Sequence, residues 1–163
     1  MFTPKKTRWS CTTCAFANLL GVTQEEFEEN IKHDGSEVVY PQLQEPRNRR
    51  GFNDQELVDS CLNFGIPVTM ILYNFQVTDG TSEPKWAMTD VEAKSRMDYY
   101  TKNYNGVLFG LLSSGSRHCL INYNGERHDP DTGQIFKGNI RVDSFYIVHG
   151  VVNETKSNNS GTS

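Results

Sequence analysis

The stretch that decides the fold is GVLFGLLSSGSRHCLINYNGERHD, residues 106–129. A continuous apolar run at 106–112 is typical of a buried strand. The segments 117–123 and 126–129 flank an Asn-Gly pair at 124–125, which strongly favours a two-residue type I′ turn. Three short strands joined by tight turns are therefore predicted here, and they must pair antiparallel.

The rest of the chain completes a pattern in which helices dominate the first half and strands the second. Predicted helices lie at about 11–20, 24–31, 54–64 and 90–101, and further predicted strands lie at 67–75 and 140–148. Expected N-caps are Ser10, Thr23, Asn53 and Thr89, and Gly21 is an expected left-handed C-cap. Because helices and strands are segregated and do not alternate, the predicted class is α+β, with N-terminal helices packed on a C-terminal antiparallel sheet.

Length and composition suggest one ordinary globular unit. The chain has 163 residues, 36% hydrophobic and 22% charged, with a net charge of -4. We expect a single domain over residues 1–152 and a disordered polar tail over 153–163, which is rich in Ser, Asn, Gly and Thr. The acidic balance argues against a nucleic-acid binder, which would show a basic face.

Compartment is inferred from hydropathy and cysteine usage. The first ten residues lack an apolar signal region, and no apolar run approaches the roughly 18 residues that a membrane span needs. We therefore expect a cytoplasmic protein with no membrane association, in which the four cysteines stay reduced.

Two short basic clusters interrupt the acidic chain. They are formed by Lys5, Lys6 and Arg8 and by Arg47, Arg49 and Arg50. Such clusters are either solvated loops or a rim that attracts an anionic substrate or partner. The sequence leaves both interpretations open.

Four residues point to thiol chemistry. Cys11 follows an N-cap, where the helix dipole and the free N–H groups favour a thiolate. A two-residue turn at 124–125 pairs position 118 with 131 and position 120 with 129. His118, Asp129 and Asp131 would then point to the same face of the sheet. A histidine base with an orienting carboxylate beside it is what a cysteine nucleophile requires.

Three segments resemble small papain-like cysteine peptidases, most closely the double-glycine leader peptidases and related bacterial and phage proteins. The segment CTTCAFANLLG at 11–21 resembles their nucleophile helix, and GFNDQELVDSCLNFGI at 51–66 is similar to a following Gly-helix-Gly segment. The segment HCLINYNGERHDPDTG at 118–133 is similar to their histidine strand followed by Asp-Pro and Gly. The similarity covers about half of the chain, in the family's order.

This resemblance implies a papain-like fold and a catalytic triad of Cys11, His118 and Asp129, with Asp131 as an alternative acid. The Cys11 thiolate would attack a peptide or isopeptide amide of a protein or peptide substrate. The reaction would need no cofactor or metal. Transfer of the acyl group to water and transfer to an amine are both consistent with the sequence. Backbone N–H groups at Cys11 and Thr12 are expected to help hold the oxyanion.

Papain-like enzymes usually place a Gln a few residues before the nucleophile for the oxyanion hole, and residues 1–10 contain neither Gln nor Asn. Possible substitutes for this Gln are Lys5, Lys6, Thr7 and Arg8. Trp9 either lines the cleft or packs in the structure.

Several alternatives remain open from sequence. The pattern Cys-x-x-Cys-x-Phe-Ala also resembles the papain motif in a register that makes Cys14 the nucleophile. Cys11 and Cys14 could instead form a redox pair, or bind zinc together with His118 or Cys119. A further alternative is an inactive papain-like module that grips a peptide or anionic ligand in the old cleft, using the Arg47–Arg50 cluster. Oligomeric state is not indicated.

Overall fold

The computed structural model describes residues 2–72 and 90–150. In chain order the elements are α1 (Cys11–Leu20), α2 (Gln24–Ile31), α3 (Asp54–Asn63), β1 (Val68–Leu72), α4 (Asp90–Asn103), β2 (Gly106–Leu112), β3 (Arg117–Tyr123), β4 (Glu126–His128) and β5 (Ile140–Val148). The expected end of the 67–75 strand, the expected cap Thr89 and the expected tail at 153–163 lie outside the described residues.

The strands of the described part form one antiparallel sheet in the order β1-β5-β2-β3-β4. Together with the four helices of that part, the sheet confirms the predicted α+β class. Strand β2 occupies the centre, between β5 and β3. The turn between β3 and β4 has positive φ at Asn124 (51°) and at Gly125 (79°), as a type I′ turn requires.

Both faces of the sheet are covered by helices. Side chains of alternating parity on β2, β3 and β5 form two separate apolar clusters. The cluster on the face of α1–α3 includes Phe16, Leu57, Val107, Cys119, Ile121 and Tyr146, and the cluster on the face of α4 includes Met97, Leu108, Leu120, Phe145 and Ile147. From the sequence we predict helices packed on the sheet. That prediction did not include the position of α4 on the face opposite to α1–α3.

Local signals explain the helix boundaries. Thr23 and Asn53 each form a complete capping box. The N-cap side chain accepts the backbone N–H of the Glu three positions later, and the carboxylate of that Glu accepts the N-cap N–H. Helix α1 ends at Gly21, which has φ 72° in the left-handed region. Ser10 occupies the N-cap position of α1, but its side chain makes no capping hydrogen bond, unlike the prediction.

Helix α1 lies directly against the central strands. Its buried residues Ala15, Phe16 and Leu19 join the same cluster as Phe109 and Cys119 of the sheet. This packing brings the first turn of α1 to the start of β3. None of the helices in the described residues is long and apolar enough to cross a membrane.

Candidate active site

Cys11 lies at the first position of α1, half-buried against the edge of the main apolar cluster. The thiol of Cys119 on β3 belongs to the apolar cluster against which Cys11 packs, and it is placed to donate a hydrogen bond to the Cys11 thiolate. This bond is the largest cause that lowers the pKa of Cys11, which stands at about 7. Positive charge on His118 and Lys5 lowers this pKa as well, whereas burial and the Asp131 carboxylate raise it. A large thiolate fraction at neutral pH follows.

The N-terminus of α1 leaves its first backbone donors free. The Ser10 hydroxyl donates to the carbonyl of Thr7 (3.1 Å) and accepts from the Thr7 N–H (3.2 Å), so it is not available to the helix. No described residue accepts a hydrogen bond from the backbone N–H of Cys11 or Thr12. These donors point along the helix dipole and can receive negative charge that develops beside the thiol.

His118, Asp129 and Asp131 come together as the sequence predicts. Nε2 of His118 lies 3.0 Å from Oδ1 of Asp129, and the two side chains are 9% and 19% exposed. The same Oδ1 accepts the backbone N–H of Asp131 at 2.9 Å. A ligating atom from each of the three residues lies within 4.8 Å of the others. The Asp129 carboxylate bonds Nε2 of His118. In the described part of the chain, no residue forms a hydrogen bond with Nδ1 of His118.

The predicted strand register does not extend as far as these residues. The ladder between β3 and β4 ends where Ile121 pairs with His128, so position 120 does not pair with 129, nor 118 with 131. Asp129 instead starts a turn: its carbonyl accepts from the N–H groups of Thr132 and Gly133. Pro130 has no N–H to continue a ladder, which explains why pairing stops. The carboxylate reaches His118 from this turn.

His118 and Cys119 leave β3 on opposite faces, as adjacent strand residues do. Cys119 faces α1, whereas the parity of His118 is that of Leu120, and its ring centroid lies 6.3 Å from that of Phe136. In the described residues no hydrogen bond joins Cys11 to His118. The imidazole acts on the thiol through its charge. Strand β3 has no β4 partner at position 118, and there the imidazole bonds the Asp129 carboxylate of the following turn and is only 9% exposed.

Two residues of this site, Lys5 and Cys119, make contacts that sequence reasoning did not predict. Lys5 forms an ion pair with Asp131 at 2.6 Å, and its backbone N–H donates to the Pro130 carbonyl at 2.7 Å. This contact docks the N-terminal segment on the turn that carries Asp129. Cys119 was considered only as a zinc ligand. The alternation of side chains along β3 indicates that Cys119 faces the helices, which is the signal that could have identified it.

Cys14 occupies a different environment from Cys11. It is buried, and its sulfur lies 3.3 Å from the carbonyl oxygen of Thr3 and 3.4 Å from the amide nitrogen of Asn18. Burial, together with the neighbouring Cys11 charge, raises the pKa of Cys14 to about 11. At neutral pH Cys14 is therefore a protonated thiol, which is a poor nucleophile.

The basic cluster at 47–50 is largely engaged by other parts of the protein. Arg49 donates to the Ser36 carbonyl at 2.7 Å, and its guanidinium lies 4.8 Å from the ring centroid of Trp9. The Trp9 indole N–H donates to the Asp34 carbonyl at 2.8 Å. Trp9 and Arg49 therefore fasten the 33–50 loop to the start of α1.

The other three arginines of the predicted clusters are exposed. Arg50 pairs with Glu56 at 3.1 Å and lies 3.8 Å from Glu37. Arg47 and Arg8 are exposed, and no ion pair of either residue occurs within the described ranges. An anion would have to compete with two carboxylates for Arg50, so the cluster is a weaker anion site than its sequence implies.

Among the described residues, the group whose ligand atoms lie close enough together to hold a metal ion is His118, Asp129 and Asp131. This group contains no cysteine, so it differs from the zinc set that the sequence suggested. Asp131 already pairs with Lys5, and Asp129 with His118. A cation would have to displace both partners.

Thr7, one possible substitute for the missing Gln, has a buried hydroxyl that no described residue bonds.

A groove of about 750 Å³ lies beside the site. Phe2, Val22 and Tyr123 are among the residues that line it, and Cys14 reaches it as well. Neither Cys11 nor His118 lines the groove. The groove therefore lies next to the Cys11 thiol and does not enclose it.

Comparisons with protein-family models, with curated proteins and with solved structures find no match to this chain. The resemblance to papain-like peptidases consequently depends on the sequence segments alone.

Proposed function

We propose that this protein is a papain-like thiol hydrolase that cleaves a peptide or isopeptide amide through Cys11, His118 and Asp129. The observation that carries the proposal is the different state of the two cysteines on α1. The pKa of Cys11 is lowered to about 7, and that of Cys14 is raised to about 11. A catalytic thiol needs a pKa near the working pH.

In the proposed reaction the Cys11 thiolate attacks the carbonyl carbon of the amide. Asp129 bonds Nε2 of His118, and this fixes the tautomer in which Nδ1 exchanges protons. The imidazole, which has taken the proton of the Cys11 thiol, gives that proton to the leaving amine as the C–N bond breaks. Water or a second amine then attacks the thioester and regenerates the thiol.

The free N–H groups at the start of α1 support an oxyanion role. The donors of Cys11 and Thr12 would bond the carbonyl oxygen as it gains charge. Residues 1–10 lack the glutamine usual in this class, so this part of the stabilisation depends on backbone donors.

The proposal places the protein in the cytoplasm of a bacterial or phage-infected cell, with a protein or peptide as substrate. The four cysteines are free, which fits a reducing compartment. The papain-like fold is part of this proposal, supported by a nucleophile helix that packs on an antiparallel sheet carrying the histidine.

A second candidate is a non-catalytic binding module of the same fold. It is favoured by one contact: the Cys11 thiol bonds Cys119, with no hydrogen bond to His118 among the described residues. In such a module Cys11 would be a structural thiol, and the cleft would hold a peptide without cleaving it.

The deciding experiment combines amide cleavage with covalent trapping of Cys11. The full chain is incubated with a peptide amide library and, separately, with a peptidyl epoxide that forms a stable thioether, and product peptides and intact mass are measured. A hydrolase yields cleaved amides and an adduct on Cys11, both lost in Cys11→Ala. Binding of peptides without cleavage or adduct in the wild-type protein would replace the hydrolase with the binding module.

A further inference from the structure

We propose that Cys11 and Cys119 form a reversible disulfide when the protein meets a hydroperoxide, so that the site carries its own redox switch. Cys11, in the first turn of α1, packs against the apolar cluster that contains Cys119 of strand β3, and the Cys119 thiol is placed to donate to the Cys11 thiolate. This inference concerns the thiol pair alone and does not require the proposed hydrolase activity.

The environments of the two sulfurs assign different roles to them. Cys11 is half-buried, so a small oxidant reaches it, whereas Cys119 is 1% exposed and is reached only through its neighbour. The pKa of Cys11 is lowered to about 7, whereas burial and the Cys11 charge raise the pKa of Cys119 well above its ordinary value. Cys11 is thus the thiolate that reacts first, and Cys119 is a protonated thiol held beside it.

The reaction balances in two steps. The Cys11 thiolate attacks one oxygen of the hydroperoxide, the O–O bond breaks, and a sulfenic acid forms with release of water or alcohol. The Cys119 sulfur then attacks the sulfenic sulfur, its proton leaves with the hydroxyl group as water, and an S–S bond forms. The two thiols lose two electrons in total, and the hydroperoxide gains them.

The neighbouring Cys-x-x-Cys pair is a poorer candidate for this chemistry. The sulfur of Cys14 is held by the carbonyl of Thr3 and the amide of Asn18, and its pKa is raised to about 11. Attack on a Cys11 sulfenic acid by Cys14 would have to break these contacts. Cys119 is already in contact with Cys11.

A disulfide between α1 and β3 would remove the Cys11 thiolate and its hydrogen-bond donor together. It would also protect Cys11 from the irreversible sulfinic acid, because a nearby resolving thiol intercepts the sulfenic acid. Reduction by a small dithiol would restore the original pair.

The test uses the full chain at pH 7 with increasing hydrogen peroxide, followed by thiol blocking, intact mass and non-reducing peptide mapping. The wild-type protein should lose about 2 Da, with a cross-linked peptide joining Cys11 to Cys119 that dithiothreitol reverses. Cys14→Ser should give the same cross-link. Cys119→Ser should instead gain about 16 or 32 Da on Cys11 as sulfenic or sulfinic acid.

Two results would overturn the proposal. One is a wild-type cross-link between Cys11 and Cys14. The other is wild-type Cys11 that accumulates as sulfinic acid without any cross-link, at the same rate as in Cys119→Ser. Neither result depends on amide cleavage, so failure of the redox switch and failure of the proposed function are separable.

Discussion

Replacing Cys119 by Ala should raise the pKa of Cys11, because it removes the thiol that donates to the Cys11 thiolate. A hydrogen bond to a charged group contributes about 1.5–3 kcal/mol. Since 1.36 kcal/mol corresponds to one pKa unit, removal should raise the pKa by about 1–2 units. A thiol is a weak donor, which favours the lower end of that range. The pKa of Cys11, about 7 in the wild-type protein, should therefore increase to about 8 or above.

The titration midpoint is a better readout than a rate at one pH. If the pKa rises by about one unit, the thiolate fraction at pH 7 falls about fivefold, but each remaining thiolate becomes about threefold more nucleophilic. The alkylation rate at pH 7 would then change only about twofold. Thiolate absorbance at 240 nm between pH 5 and pH 9 gives the midpoint directly.

The other cysteines should not interfere with this titration. Burial raises the pKa of Cys14 to about 11 and of Cys61 to about 12, and it raises that of Cys119 as well. Only Cys11 should ionise between pH 5 and pH 9. The thiolate population is present above about pH 7 and is lost as the pH falls through that value.

Cys119→Ser is the matched control, because it keeps a donor of similar size at the same place. Its midpoint should stay near that of the wild-type protein, while Cys119→Ala moves upward. Circular dichroism and thermal unfolding establish that both variants fold. Equal midpoints in the wild-type protein and in both variants would refute the role of the Cys119 hydrogen bond.

Three further substitutions test the site and its scaffold. Asp129→Asn keeps an oxygen for the turn but removes the charge that orients His118, so amide cleavage should fall at least about tenfold with little change in unfolding free energy; unchanged cleavage would contradict this role. Gly106→Ala places a Cβ 2.1 Å from the Tyr146 carbonyl oxygen and should lower the free energy of unfolding in urea by about 3 kcal/mol; wild-type stability would contradict that packing. Asn122→Leu leaves two carbonyls at the end of α4 without their donor, and urea unfolding should show a loss of about 1–3 kcal/mol, with an unchanged midpoint as the contrary result.

Much of the architecture was predictable because strong local signals define it. The bounds of α2, β2, β3 and β5 match the prediction, since capping residues and the type I′ turn fix where these elements begin and end. The last residue of β4 did not match. Pro130 and the turn around Asp129 end the ladder one residue early, and a register extrapolated from the turn cannot include that effect.

The candidate site was predictable in part. The meeting of His118 with Asp129 follows from the hairpin, because it needs only contacts between residues close in sequence. The contact of Cys11 with Cys119 spans most of the chain and depends on how α1 packs on β3. Lys5 reaches Asp131 for a similar reason, after the N-terminal segment docks on the turn. The alternation of side chains along β3 indicates which face Cys119 occupies, but it does not indicate which residue of α1 lies against it.

The direct test of the central claim is the pH dependence of iodoacetamide labelling at each cysteine, followed by peptide mapping. The proposed site predicts that the label appears first on Cys11, with a midpoint near pH 7, and that His118→Ala raises this midpoint by removing a positive charge. Labelling that begins on Cys14, or a Cys11 midpoint near that of an ordinary thiol and insensitive to His118, would contradict it.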